Sequence, residues 1–285
     1  MLYPFFSRLR LPKLSYTREY SFELSGVEVR FSVPPMHSKW GEQEVFRKKF
    51  NLYDKNDYVR KDKDITPFIS CFITWWDVKG IPFFQENKGH ISLYVSASHW
   101  KGGGNLFRPC MMEAVLAELD ESEYGDDQKC DKSVVTFLNW TPVIINGHPW
   151  LHYKIEEEAG SVSHQFLWII PISDQHYLTF SFPTDHYRGR ADDVVEAMKN
   201  FCTQIMASVH ITFPEWVLKL KAEAEEKWPG EQYSPTKEPL RWVREDLGRM
   251  SYGDYIAYMD KKNGLAGDNE TETDKQMETH KKTTP

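Results

Sequence analysis

Gly102-Gly103-Gly104-Asn105 lies between an apolar run and a short amphipathic stretch, a place where backbone N–H groups can hold a phosphate. A phosphate loop of the Walker kind ends in Gly-Lys-Ser/Thr, whereas Arg108-Pro109 stands here, so the glycines read as a flexible connection. Cys110 follows at the start of a predicted helix, where the dipole lowers a thiol's pKa. A cysteine nucleophile also needs a base in reach. The candidate is His99, on the far side of the glycines. Cys110 is read as a structural thiol, and an enzyme of unrecognised type centred on Gly102–Gly104 and Cys110 is the alternative.

The histidines give no metal pattern. His148 and His152 are four apart but flank a turn, and His176 and His186 flank a predicted strand. Neither HExxH nor a two-carboxylate cluster accompanies them, and GxSxG is missing too. No catalytic residue, metal ligand or cofactor is therefore assigned. Cys71, Cys110, Cys130 and Cys202 are scattered without a CxxC pair, so they are expected to be unpaired thiols.

Charge narrows the partners. The chain carries a net −7, whereas phosphate-neutralising proteins present a basic surface. The stripe Arg47, Lys48, Lys49, Arg60, Lys61 and Lys63 is interrupted by Asp54, Asp57, Asp62 and Asp64, and reads as a solvated region. No nucleic-acid partner is expected. No run approaches the ~18 apolar residues of a membrane span. Residues 1–16 lack the apolar core of a secretory signal, so a soluble, cytoplasmic protein is expected.

These residues must be positioned by a fold that the period-2 stretches make largely β. Phe22 and Leu24, then Val27, Val29, Phe31 and Val33, alternate around Ser25-Gly26 and predict a hairpin. A short helix is predicted over 41–50. Strands follow at 67–76 and 90–97, then a helix over 109–121 opened by Pro109. A meander runs through 134–140, 142–145, 150–156, 165–172 and 176–182, with Asn146-Gly147 as its clearest turn. Val194, Met198, Phe201, Cys202, Ile205 and Val209 make the stripe of a core helix over 192–209, and a second helix covers 215–227.

The predicted class is α+β: an antiparallel β-sheet covered by helices, with a helical, aromatic-rich C-terminal extension and a disordered tail. Residues 1–228 form the body, with its sheet core at about 20–211. Residues 229–262 form the extension, with helical turns predicted over 240–247, and 263–285 form the tail. Trp228, Tyr233, Trp242, Tyr252, Tyr255 and Tyr258 lie where the regular fold ends. They pack the extension on the body or anchor a partner protein, because aromatic anchors dominate interfaces. A cut before Pro229 is expected to leave the body folded.

The order of elements, from the Phe22–Val33 hairpin through His176–Phe182 to the helix ending near Ile211, resembles the PsbP-like sandwich. That family includes photosystem accessory subunits, a Ran-binding nuclear transport factor and bacterial chaperones of type VI secretion effectors. The resemblance implies a sheet flanked by helices and binding to other proteins, with no shared catalytic residues. The expected function is a non-enzymatic protein-binding module: a chaperone, adaptor or immunity-type protein whose partner is another protein.

Overall fold

The computed structural model describes residues 10–38, 45–59, 66–80, 87–125, 133–159, 161–186, 191–234 and 239–242. The tail and most of the extension, including Tyr252, Tyr255 and Tyr258, lie outside them.

Alternation at the N-terminus produces β1 (Arg18–Leu24) and β2 (Val27–Val33), in a register that closes Leu24 on Val27. Ser25 and Gly26 hold φ of 50° and 94°, the left-handed pair that a two-residue hairpin requires. Where a helix was expected over 41–50, the described part forms β3 (Val45–Phe46) and β4 (Lys49–Phe50) instead. The reason is tertiary. The Phe46 ring packs on Tyr20 and Phe72 at 5.3 and 6.2 Å, and Phe50 packs on Phe22 at 6.0 Å. Ring contacts and ladder bonds outweigh a short segment's helix propensity.

The remaining strands are β5 (Phe68–Lys79), β6 (Asn87–His99), β7 (Ser133–Ile145), β8 (His148–Ala159), β9 (Ser161–Pro171), β10 (His176–His186), β11 (His210–Thr212) and β12 (Leu240–Trp242). β7 joins two predicted strands into one, with a register shift between Asn139 and Val143 beside Pro142. β12 replaces the predicted helical turn at Leu240, pairing Leu240 with Thr136 and Trp242 with Val134. Two sheets result, ordered β11-β2-β1-β4 and β12-β7-β8-β9-β10-β6-β5-β3. Among the described residues these strands pair antiparallel except β1 with β4.

Among the described residues three α-helices complete the α+β architecture: α1 (Pro109–Tyr124), α2 (Ala191–Met206) and α3 (Glu215–Lys227). Strand alternation sends Phe166, Trp168, Ile170, Leu178, Phe180 and Phe182 to one face of the large sheet. There they meet the small sheet and α2. Phe31 touches Phe72 and Phe180 across the gap at 5.1 and 5.4 Å, and Phe201 of α2 sits edge-on to Trp76 at 5.3 Å. The intervening residues Leu151, Tyr153, Leu167, Ile169 and Tyr177 face the other way and pack under α1. No helix among the described residues is long and apolar enough to cross a membrane.

Candidate partner-binding cleft

The N-terminus of α1 has an unusual cap. Arg108 occupies the capping position but its side chain makes no capping bond to the helix, and the first turn holds no acid. Its exposed N–H groups and positive dipole end need an acceptor. Glu231 supplies one from 121 residues away. One carboxylate oxygen accepts the Cys110 N–H at 3.0 Å and the other accepts Arg108 Nε at 2.8 Å. These bonds, first from Arg108 and then from Cys110, hold the Glu231 carboxyl below its ordinary range.

Two cations stack on the neighbouring indole. The Arg108 guanidinium lies 5.1 Å from the Trp228 ring centroid, and Lys227 Nζ lies 4.7 Å away. Trp228 terminates α3, donating its N–H to Ala224 O at 2.9 Å. Together α3, the start of α1 and the strand ends at His148–Pro149 and Ile170–Pro171 form a cleft of about 230 Å³. Its walls include Phe107, Pro149, Pro171, Phe213, Trp228 and Tyr233.

Beyond the cleft, Ser234 and Trp242 of the strap each bond to α1. The Ser234 N–H and Oγ both donate to the Glu113 carboxylate, the latter at 2.8 Å. Trp242 Nε1 donates to Glu121 Oε2 at 3.2 Å, and its ring packs on Tyr124 at 5.7 Å. Of the six aromatics singled out in the sequence, Trp228 and Tyr233 line the cleft, while Trp242 lies at the far end of α1. Tyr233 is half-buried against the α1 core, where burial and then Glu113 push its hydroxyl pKa up.

Cys110 does not behave as a helix-terminal thiolate. Partial desolvation first, then the hydrogen bond to Glu231 and its negative charge, push the thiol up. His99 is engaged elsewhere, its ring stacked on His176 at 4.6 Å. The glycine loop has structural reasons for its composition. Gly103 and Gly104 hold φ of 78° and 90°, and a Cβ on Gly102 would meet the Trp100 ring at 2.2 Å. Trp100 Nε1 donates to Gly103 O at 2.8 Å.

His148 and His152 are engaged separately. His148 Nε2 is 3.0 Å from Ile211 O, while His152 Nδ1 contacts Leu167 O at 2.9 Å and its ring stacks on Trp168. Among the described residues, no group of three His, Cys, Asp or Glu side chains could hold a metal.

Sequence reasoning missed the surroundings of His176. Tyr58 Oη donates to Leu52 O at 2.6 Å, so His176 Nε2 donates to Tyr58 Oη at 3.1 Å and His176 Nδ1 accepts from Ser173 Oγ at 2.8 Å. The chain of bonds requires a neutral imidazole. Burial first, then the neighbouring His99, lowers the His176 pKa to about 4. No local pattern signals a contact spanning 118 residues.

No known protein family matches the chain, and no curated protein matches it either. Solved structures do. The chain is similar to LpqN, involved in cell envelope biogenesis of Mycobacterium tuberculosis, at 9% identity, covering 69% of this chain and 91% of that one, with a TM-score of 0.32. It is similar to cyanobacterial PsbP from Synechocystis sp. PCC 6803 at 13% identity, covering 70% of this chain and 95% of that one, with a TM-score of 0.32. A weak PsbP-like resemblance is present. It is a likeness of outline, and no residue role is carried over from it.

Proposed function

We propose that this chain is a non-enzymatic protein-binding module of chaperone, adaptor or immunity type, whose partner protein docks at the cleft over Trp228. The observation that carries this reading is the cleft wall, where rigid aromatic and proline residues surround a space of about 230 Å³. Small-molecule pockets usually run from about 300 Å³ upward, whereas a space of this size suits one anchoring side chain of a partner. Trp, Tyr and Arg are the residue types that dominate interface energetics, and Trp228, Tyr233 and Arg108 are grouped here.

The extension to Lys262, with Trp242, Tyr252, Tyr255 and Tyr258, is part of the same proposed surface, and its helical form belongs to the proposal. Free thiols at Cys71, Cys110 and Cys202 support placing the protein in the cytoplasm as part of this reading. An enzyme built on Cys110 and His99 has less support. The first thiol is held protonated beside a carboxylate, and the imidazole is stacked on His176.

The test uses the full chain as bait, beside Trp228→Ala and the cleft-rim variant Lys221→Glu, with unfolding curves confirming that each bait is folded. A partner captured by the parent and lost by both variants supports the proposal. Equal capture by all three, or no capture above empty resin, overturns it.

A further inference from the structure

A second cleft, unrelated to the one over Trp228, lies where two segments pair in turn along the edge of β5 that faces away from β6. Backbone bonds fix both. Arg10 and Lys79 exchange N–H···O bonds of 2.7 and 3.1 Å. Further along the same edge the His37 N–H donates to Trp75 O at 3.1 Å, and the Asp77 N–H donates to His37 O at 2.8 Å. Pro12, Pro34 and Pro35 stiffen the connecting chain further. The open cleft between the two segments has a volume of about 440 Å³, within the usual range for a small organic ligand.

The charge of this cleft opposes that of the protein, which carries a net −7. Arg10, Lys13 and Lys79 line it against one carboxylate, Asp77. Asp77 is buried and accepts a hydrogen bond from Ser38 Oγ at 2.9 Å. Some cations elsewhere have carboxylate partners: Arg47 meets Asp57 at 2.7 Å and Arg108 meets Glu231 at 2.8 Å. Among the described residues, no carboxylate pairs with Arg10, Lys13 or Lys79.

Their bonds go instead to neutral acceptors. Arg10 Nε donates to Gly80 O at 3.0 Å, which orients the guanidinium and leaves its terminal nitrogens. Lys79 Nζ lies 3.3 Å from His37 Nε2. An ammonium can only donate, so the imidazole nitrogen is the acceptor there, and no carboxylate among the described residues answers the lysine. The remaining walls are apolar, from Leu11, Pro34, Pro35 and Met36, with Tyr16 exposed at the rim.

We propose that this cleft binds a small organic anion: a carboxylate or phosphate carried on an apolar body, with Arg10, Lys13 and Lys79 taking the charge. A guanidinium and two ammonium groups match an oxyanion in charge and donor count. The apolar wall discriminates such a ligand from a bare inorganic ion.

Titration calorimetry on the full chain with hexyl phosphate, hexanoate and hexanol tests this. At least one of the two anions should bind, with hexanol at least tenfold weaker. The stronger anion identifies the headgroup. Affinity should fall as salt is added, and at least tenfold in the double variant Lys13→Glu/Lys79→Glu, whose melting curve checks that it is folded. The proposal is overturned if neither anion binds at millimolar concentration, if hexanol binds as tightly as the anions, or if charge reversal in a folded variant leaves affinity unchanged.

Discussion

Helices α1 and α2 have the same length, 16 residues, and cover opposite faces of one sheet, yet they are held by different physics. α2 buries Val194, Met198, Phe201, Cys202, Ile205 and Met206, an apolar stripe attached by removal from water. α1 buries Met112, Val115 and Leu116, but also the carboxyl groups of Glu113 and Asp120. Its cap and flank come from the strap that carries Glu231, Ser234 and Trp242. A helix with its own stripe needs little from distant chain. One with buried acids depends on partners placed by the rest of the fold.

The largest test of the contrast is Phe201→Ala. It removes a ring held against Trp76 and should cost about 3–5 kcal/mol, read from denaturant unfolding. A loss below about 1 kcal/mol, the scale of an ordinary surface substitution, would break the account of α2.

Asp120 offers the second. Burial, and then Glu123, raise its pKa to about 7, and its Oδ2 has no partner among the described residues. In the unfolded chain the same carboxyl titrates near about 4. The folded state therefore holds the extra proton between those values, so this group's contribution falls as pH rises from about 4 to 7 and is then level. Asp120→Asn should be the more stable protein at pH 8, by on the order of 2–4 kcal/mol, and lose that advantage towards pH 5. Comparing the two proteins at each pH cancels His176. Its lowered pKa acts in the overlapping window with opposite sign, removing stability as pH falls from about 6.5 towards 4. A parent–variant difference that is flat with pH would rule out a buried, strained Asp120.

Cutting the chain before Pro229 tests the strap as a whole. The cut, expected to leave the body folded, uncaps α1, strands the buried Glu113 carboxylate and removes β12. A loss of about 2–4 kcal/mol is expected, with faster amide exchange in α1 than in α2. Equal exchange in the two helices would erase the distinction. The narrower Glu231→Gln should cost about 1 kcal/mol, the usual worth of a helix cap.

The smallest effect is chemical. With the Glu231 charge gone, the Cys110 thiol should ionise more readily. Alkylation mapped to the Cys110 peptide at fixed pH should then run several-fold faster in Glu231→Gln. An unchanged rate would show that the carboxylate does not set the thiol's reactivity.

Much of this architecture was legible in the residues themselves. Alternation at Phe22–Val33 and Leu178–Phe182, the Asn146-Gly147 turn, Pro109 at the start of α1 and the α2 stripe are local signals, because a period of 2 or 3.6 is written in adjacent positions. The residue types that could anchor a partner, Trp228 and Tyr233 among them, were visible in the same way. What tertiary structure alone decided is where those side chains meet. The strands at Val45–Phe50 and Leu240–Trp242, the capping of α1 by Glu231, the neutral His176 between Ser173 and Tyr58, and the grouping of Arg10, Lys13 and Lys79 all depend on contacts across tens to more than a hundred residues. Local sequence specifies which conformations are cheap. Burial and pairing with distant partners select among them, and the charge state of every buried group follows from that selection.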